Sequence, residues 1–136
     1  MKIVVDASFA MAWLARETTA PAIDEFAARL GAGAMELHAP ELFFAESANV
    51  LWKSVRRGRR TLDEGVAMFA NLSEMPITLH PHRDLVGPAL DLAMRRGISA
   101  YDAFYVALAV RDALPLFTAD RKLAHAVADL VEVVAA

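Results

Sequence analysis

The chain has 136 residues, a net charge of −3 at pH 7 and no cysteine. That length predicts one domain, residues 1–136, with a core that needs no covalent staples. The missing thiols exclude disulfides and thiolate metal sites and are compatible with a reducing cytoplasm. Asp6 interrupts the first apolar run too early for a signal peptide, and the longest apolar stretch, residues 103–110, is too short to cross a bilayer. A soluble cytoplasmic protein without a membrane partner is expected. Hydrophobic residues make up 57% of the chain, much of it alanine, which favours a protein that covers part of its surface with a partner.

The predicted elements run as follows. Ile3, Val4 and Val5 read as a short buried strand that stops on Asp6. Ser8 is expected to cap a helix over residues 9–14. Thr18, Thr19 and Pro21 form a helix start, and residues 22–30 follow as a helix that Gly31 and Gly33 end. Residues 36–39 are a second strand, closed by Pro40, and residues 41–57 a long helix that Gly58 breaks. Thr61 with Glu64 three positions later has the form of a capping box and opens a helix to Leu72. Residues 76–80 are a third strand, 84–96 a helix stopped by Gly97, and 100–112 a helix capped by Ser99. A fourth strand over 115–118, a short helix over 120–127 and a last strand over 130–134 complete the chain. Alternation of this kind predicts an α/β fold, a mainly parallel five-stranded sheet flanked by about seven helices.

Four acids stand in apolar or small-residue surroundings: Asp6, Glu46, Asp102 and Asp120. Each has an ordinary explanation. Asp6 can accept hydrogen bonds at a strand end. Glu46 shares a helical stripe with Asn49 and Lys53 and fits a solvated face. Asp102 stands three after Ser99, as in a capping box, and Asp120 is a natural N-cap. Together they read differently. Asp6 and Asp120 both terminate strands, so a parallel sheet brings them to one edge, where α/β sheets bind ligands. Like charges gathered there need a cation, and oxygen donors without cysteine suit Mg²⁺ or Mn²⁺. Such a cluster supports attack of water on a phosphodiester.

The segments Val4-Val5-Asp6-Ala7-Ser8, Pro40-Glu41-Leu42 leading to Glu46 with Asn49-Val50-Leu51, Tyr101-Asp102-Ala103 with Tyr105-Val106-Ala107-Leu108-Ala109, and Phe117-Thr118-Ala119-Asp120-Arg121 resemble the PIN-domain ribonucleases. The resemblance is nearest to the VapC toxins of type II toxin–antitoxin systems and covers essentially the whole chain in order. It implies a three-layer PIN sandwich and a Mg²⁺-dependent endoribonuclease, with Mn²⁺ as a substitute, that leaves a 5′-phosphate and a 3′-hydroxyl on tRNA or rRNA. By position, it implies Asp6 and Asp102 as main metal ligands, Glu46 binding or orienting the water, and Asp120 completing the site. Ser8 and Thr118 match hydroxyl residues that support such acids from behind. The resemblance also implies a homodimer, or a larger toxin–antitoxin oligomer, with a VapB-type antitoxin over the groove. The chain departs from some relatives at Arg121 and Lys122, where a further acid stands in them, which leaves one or two metals open.

Lys53, Arg56, Arg57, Arg59 and Arg60 fall within eight positions and form either an RNA-backbone contact or a solvated helix end. Arg121, next to the acids, is a further phosphate candidate. Trp13, Phe43, Phe44, Trp52 and Tyr105 are expected in the core or a dimer interface. His38, His80, His82 and His125 have no ligand spacing. Three rival readings stand beside it: a haloacid-dehalogenase-type phosphatase, which needs an acid where Ser8 stands; a receiver domain, which needs an acceptor Asp at the end of the third strand, where His80 and Pro81 stand; and a non-catalytic binding module on the same fold.

Overall fold

The structure, a computed structural model, describes residues 1–16 and 20–136. Thr18 and Thr19, expected at the start of the second helix, lie outside the described residues. Five strands form one sheet: β1 (Lys2–Val5), β2 (Glu36–Pro40), β3 (Ile77–His80), β4 (Leu116–Thr118) and β5 (Val133–Ala135). Their order is β3-β2-β1-β4-β5, and every neighbouring pair is parallel. The helices are α1 (Ala7–Ala15), α2 (Pro21–Gly31), α3 (Leu42–Arg56), α4 (Leu62–Ser73), α5 (His82–Arg96), α6 (Ala100–Asp112) and α7 (Arg121–Val127).

The chain winds outward from β1 in both directions. Right-handed crossovers then place α1 to α4 on one face of the sheet and α5 to α7 on the other. Between β1 and β4 the winding reverses, and ligands bind at such a switch point, outside the strands' carboxyl ends.

The three apolar residues of β1, Ile3, Val4 and Val5, are fully buried, as a central strand covered on both faces requires. Beneath α1, Phe9 meets Phe26 and Phe117 edge-on at ring separations of 5.1 and 5.2 Å. This cluster ties α1, α2 and β4 into one core. On the other face α6 buries an unbroken run, Tyr105 to Ala109. Its small residues Ala103, Ala107 and Ala109 let the helix lie close to both the sheet and α5.

The boundaries shift by a few residues from those the sequence predicts. One difference matters for the site: Asp6, and not Ser8, caps α1, its carboxylate accepting from the Phe9 N–H at 2.8 Å. Ser8 lies inside the first turn. The capping box at α4 forms as expected, with Thr61 Oγ1 accepting from the Glu64 N–H at 3.1 Å and Glu64 Oε1 accepting from the Thr61 N–H at 3.3 Å. Thr61→Ala is expected to lower stability by about 1 kcal/mol, read as a drop of a few degrees in Tm with activity unchanged.

Two histidines without sequence spacing also meet. His38 Nδ1 and His80 Nε2 lie 2.9 Å apart, Arg111 reaches His80 Nδ1 at 3.0 Å, and His38 Nε2 reaches Glu36 Oε1 at 2.9 Å. Arginine only donates, so His80 Nδ1 accepts. His80 Nε2–H then donates to His38 Nδ1, and His38 Nε2–H to Glu36, which fixes both tautomers as neutral rings. Burial, and then the Arg111 charge, lowers the His80 pKa in agreement.

Candidate active site

Asp6 follows β1 at the switch point and is almost wholly buried, at 5% exposure. Its carboxylate accepts from Ser8 Oγ at 2.6 Å, from the Phe9 N–H at 2.8 Å and, through Oδ2, from the Thr118 hydroxyl in a short bond. Ser8 also accepts from the Ala119 N–H at 2.9 Å, and Thr118 from the Asp120 N–H at 3.0 Å. The two hydroxyls therefore join the carboxyl end of β1 to the turn after β4. They hold Asp6 in one rotamer and leave it no freedom to turn toward solvent.

The other three acids come from three different elements. Glu46 rides α3, the helix that follows β2, and is half-buried. Asp102 stands in the first turn of α6, where Ser99 Oγ accepts from its N–H at 3.0 Å. Asp120, exposed, caps α7 by accepting from the Lys122 and Leu123 N–H groups at 2.9 and 3.1 Å. Asp6 and Asp120 thus cap helices while standing among the other acids; Asp120 caps through Oδ1 alone, Asp6 has both oxygens hydrogen-bonded, and at α6 the cap is Ser99, with only the N–H of Asp102 engaged.

The four acids feel one another's charge pair by pair: Asp6 with Asp102 and Glu46, Glu46 with Asp102, and Asp102 with Asp120. Burial pushes Asp6 up to about 6, against the lowering pull of its Ser8, Thr118 and Phe9 hydrogen bonds, and Asp102 adds to the rise. Glu46 is pushed up to about 7, first by burial and then by the Asp102 and Asp6 charges. Asp102 is raised by burial and by Asp120. These are carboxyl groups that repel one another without a counter-charge.

Tyr105, one turn along α6 from Asp102, is 1% exposed and belongs to the core, as expected of it. It is also part of the site. Its hydroxyl lies beside Glu46, and burial and the carboxylates hold its pKa above the usual phenol range. Both that hydroxyl and Glu46 Oε1 are buried without a hydrogen bond of good geometry. A buried carboxylate oxygen left in that state is costly unless something binds it.

The donors here are oxygen throughout, which fits a hard divalent cation better than a soft one. The unpartnered Glu46 Oε1 is available to such an ion. Among the described residues, no three Asp, Glu or His side chains converge tightly enough to hold an ion as they stand.

The basic cluster lies next to the acids. Lys53, Arg57, Arg59 and Arg60 line a cleft of about 450 Å³ between α1, α3 and α4, and Ser8 forms one end of it. Arg56 turns elsewhere, with its guanidinium 5.4 Å from the centre of the exposed Trp52 ring. Arg121 is exposed at the start of α7, directly after Asp120.

The chain is similar to known proteins over most of its length. The PIN domain family model matches residues 3–129. Ribonuclease VapC3 of Pyrobaculum aerophilum is 39% identical over 127 residues, which is 92% of this chain and 94% of that protein. Ribonuclease VapC3 of Mycobacterium tuberculosis is 36% identical over 125 residues, 92% and 87% of the two chains. Among solved structures, PAE2754 from Pyrobaculum aerophilum superposes with a TM-score of 0.68 at 27% identity, covering 93% of this chain and 87% of that one. VapBC2 from Rickettsia felis, bound to a DNA fragment from its promoter, also gives 0.68 and covers 99% and 98%; at 10% identity that is a likeness of fold. No helix among the described residues is long and apolar enough to cross a membrane.

Proposed function

Because this chain belongs to the PIN-domain family, as a VapC-type ribonuclease, we propose that it is the toxin of a VapBC-type pair and a metal-dependent endoribonuclease acting on tRNA or rRNA. The observation that carries the reading is the meeting of Asp6, Glu46, Asp102 and Asp120 at the switch point, with two of them held near neutrality. A non-catalytic module would have no use for that many mutually repelling acids.

Asp6 and Asp102 would hold Mg²⁺ or Mn²⁺, with Glu46 and Asp120 completing the set, and such an ion would supply positive charge to offset the charge that develops in phosphodiester hydrolysis. Asp6 contributes a fixed oxygen, since Ser8, Thr118 and the Phe9 N–H hold the carboxylate in place and partly offset the effect of burial on its charged form. Glu46 would bind or orient the attacking water and accept its proton; in the metal-free chain burial and the Asp102 and Asp6 charges push it up to about 7. As the water oxygen joins phosphorus, the bond to the 3′ oxygen breaks and that oxygen takes a proton from solvent, leaving a 5′-phosphate on one fragment and a 3′-hydroxyl on the other. Lys53, Arg57, Arg59 and Arg60 in the adjoining cleft bind the phosphates of the flanking strand, and Arg121 reaches the same backbone.

The partners follow from the family. A VapB-type antitoxin covers the site, supported by the VapBC pairing of the Rickettsia felis neighbour. The toxin itself forms a homodimer, in keeping with an exposed apolar stripe of Val86, Leu90 and Met94 on α5.

The reading is tested with the chain purified free of any partner, given cellular RNA with Mn²⁺, with chelator, or with neither, followed by sequencing of 5′-phosphate ends. Defined ends that vanish with chelator are expected; RNA bound but left intact in Mn²⁺ would mark a binding module. Thr118→Val, which removes one hydrogen bond to Asp6 while keeping the side chain's shape, is expected to lower cleavage about ten- to hundredfold, measured at saturating Mn²⁺.

A further inference from the structure

We infer that Tyr101 and Asn49 form a nucleobase subsite beside the acids, in which one unpaired base of the RNA stacks on the Tyr101 ring next to the scissile phosphate. The inference rests on the ribonuclease reading above and adds to it a binding element that the acids and the basic cleft do not supply.

A second cleft, of about 460 Å³, opens between α3 and the start of α6. Glu46 and Asp102 line it together with Tyr101 and Asn49, and Leu42, Ala45 and Val50 give it an apolar lining. Tyr101 is 67% exposed, although it sits immediately before an acid of the site. Among the described residues neither its hydroxyl nor the Asn49 amide makes a hydrogen bond, and the Tyr101 ring stacks on no other ring. An exposed aromatic ring and an unpaired amide lining one partly apolar cleft match what a nucleobase requires. The ring takes the base's face, and the amide pairs with its edge by donating and accepting at once.

Electrostatics favour the same occupant. A cluster of four acids repels phosphate, so affinity close to the reacting bond has to come from uncharged contacts, while cations act at a distance. Val50 lines both this cleft and the basic one, so the two adjoin across a single side chain of α3. A single strand whose phosphates follow Lys53, Arg57 and Arg59 reaches the acids at the point where its next base meets Tyr101. Double-helical RNA keeps its bases stacked and cannot place one there, so the subsite selects loops and unpaired ends.

The test is binding of a fluorescently labelled single-stranded RNA to the native chain in chelator, where cleavage does not interfere. Tyr101→Ala is expected to weaken binding about ten- to hundredfold. Tyr101→Phe, which keeps the ring, is expected to bind as the native chain does. Inorganic polyphosphate, which has no bases, should bind native and Tyr101→Ala chains equally. Equal RNA binding by Tyr101→Ala, or a parallel loss of polyphosphate binding, overturns the subsite. So does native chain that binds no RNA, as expected if this cleft serves only a protein partner. In Mn²⁺, Asn49→Ala should change which base stands beside the cut, which a purely structural asparagine would not do. RNA bound through Tyr101 yet never cleaved in Mn²⁺ would leave the subsite standing and remove the ribonuclease reading instead.

Discussion

Asp6→Asn is expected to reduce RNA cleavage about a thousandfold or more while making the metal-free protein more stable. The first effect follows from the loss of one anionic ligand: a thousandfold corresponds to about 4 kcal/mol of barrier. The second follows from burial. At 5% exposure, Asp6 is ionised at pH 8 despite a pKa pushed from 3.8 to about 6. That displacement corresponds to about 3 kcal/mol held against the fold, and a neutral amide of the same shape removes it. Asn keeps an oxygen for Ser8 and the Phe9 N–H and presents an N–H₂ to Thr118 Oγ1, which can accept. Cleavage assays and thermal melts of the same preparation, in chelator at pH 8, would show activity and Tm moving in opposite directions. If both fall, Asp6 is a structural cap and not a ligand.

The metal-free protein is expected to be more stable near pH 5.5 than at pH 8, by about 2–3 kcal/mol once the half-exposed Glu46 is discounted for solvent screening. Asp6 and Glu46 have folded pKa values of about 6 and about 7, above their ordinary 3.8 and 4.5. The folded state therefore takes up protons first as the pH falls. Stability rises through that window and levels off near pH 4, where the unfolded carboxyl groups also protonate. Asp102, raised as well, acts in the same direction. His80 acts against it: its lowered pKa means stability is lost as pH falls through the ordinary histidine range. Asp112 and Asp129, lowered by Arg111 and Arg96, lose their contribution only at more acid pH. With three raised acids against one imidazole, the carboxyl groups decide the sign. For a chain of this size the expected difference is about 10 °C in Tm. Excess Mg²⁺ or Mn²⁺ at pH 8 should recover most of it. A Tm in chelator that is flat or rises from pH 5.5 to 8 would show that the acids do not repel one another as described.

Much of this was legible along the chain, and the exceptions have physical reasons. Strand runs ending at Asp6 and just before Asp120 are local patterns, and the parallel sheet that follows from them brings both acids to one edge. The box at Thr61 and Glu64 is equally local. The cap of α1 was not: Ser8 and Asp6 are both good cap residues, and the choice is made by Thr118, 110 positions further on, which draws the Ser8 hydroxyl into the hydrogen-bond network around Asp6. Tyr105 reads as core because it is core. Its spacing of three from Asp102, one helical face, was the available sign of its second role. The His38–His80 pair depends on the alignment of β2 with β3 across 42 positions, which no spacing rule reports.

The joining of β1 to β4 through Asp6, Ser8 and Thr118 also sets when activity can arise. These contacts span 110 and 112 positions of chain, so they close late, after most of the sheet and both helical layers are in place. On the ribosome, chains emerge from the N-terminus. Asp6 and Ser8 appear first, but they wait without their partners until Thr118 and Asp120 have emerged and β4 has docked. A nascent or truncated product ending before β4 carries Asp6 with neither the hydroxyl that fixes it nor the fourth acid. A cell making this protein therefore meets the complete site only once nearly the whole chain has been translated, which leaves the time of synthesis for a partner to be made ready.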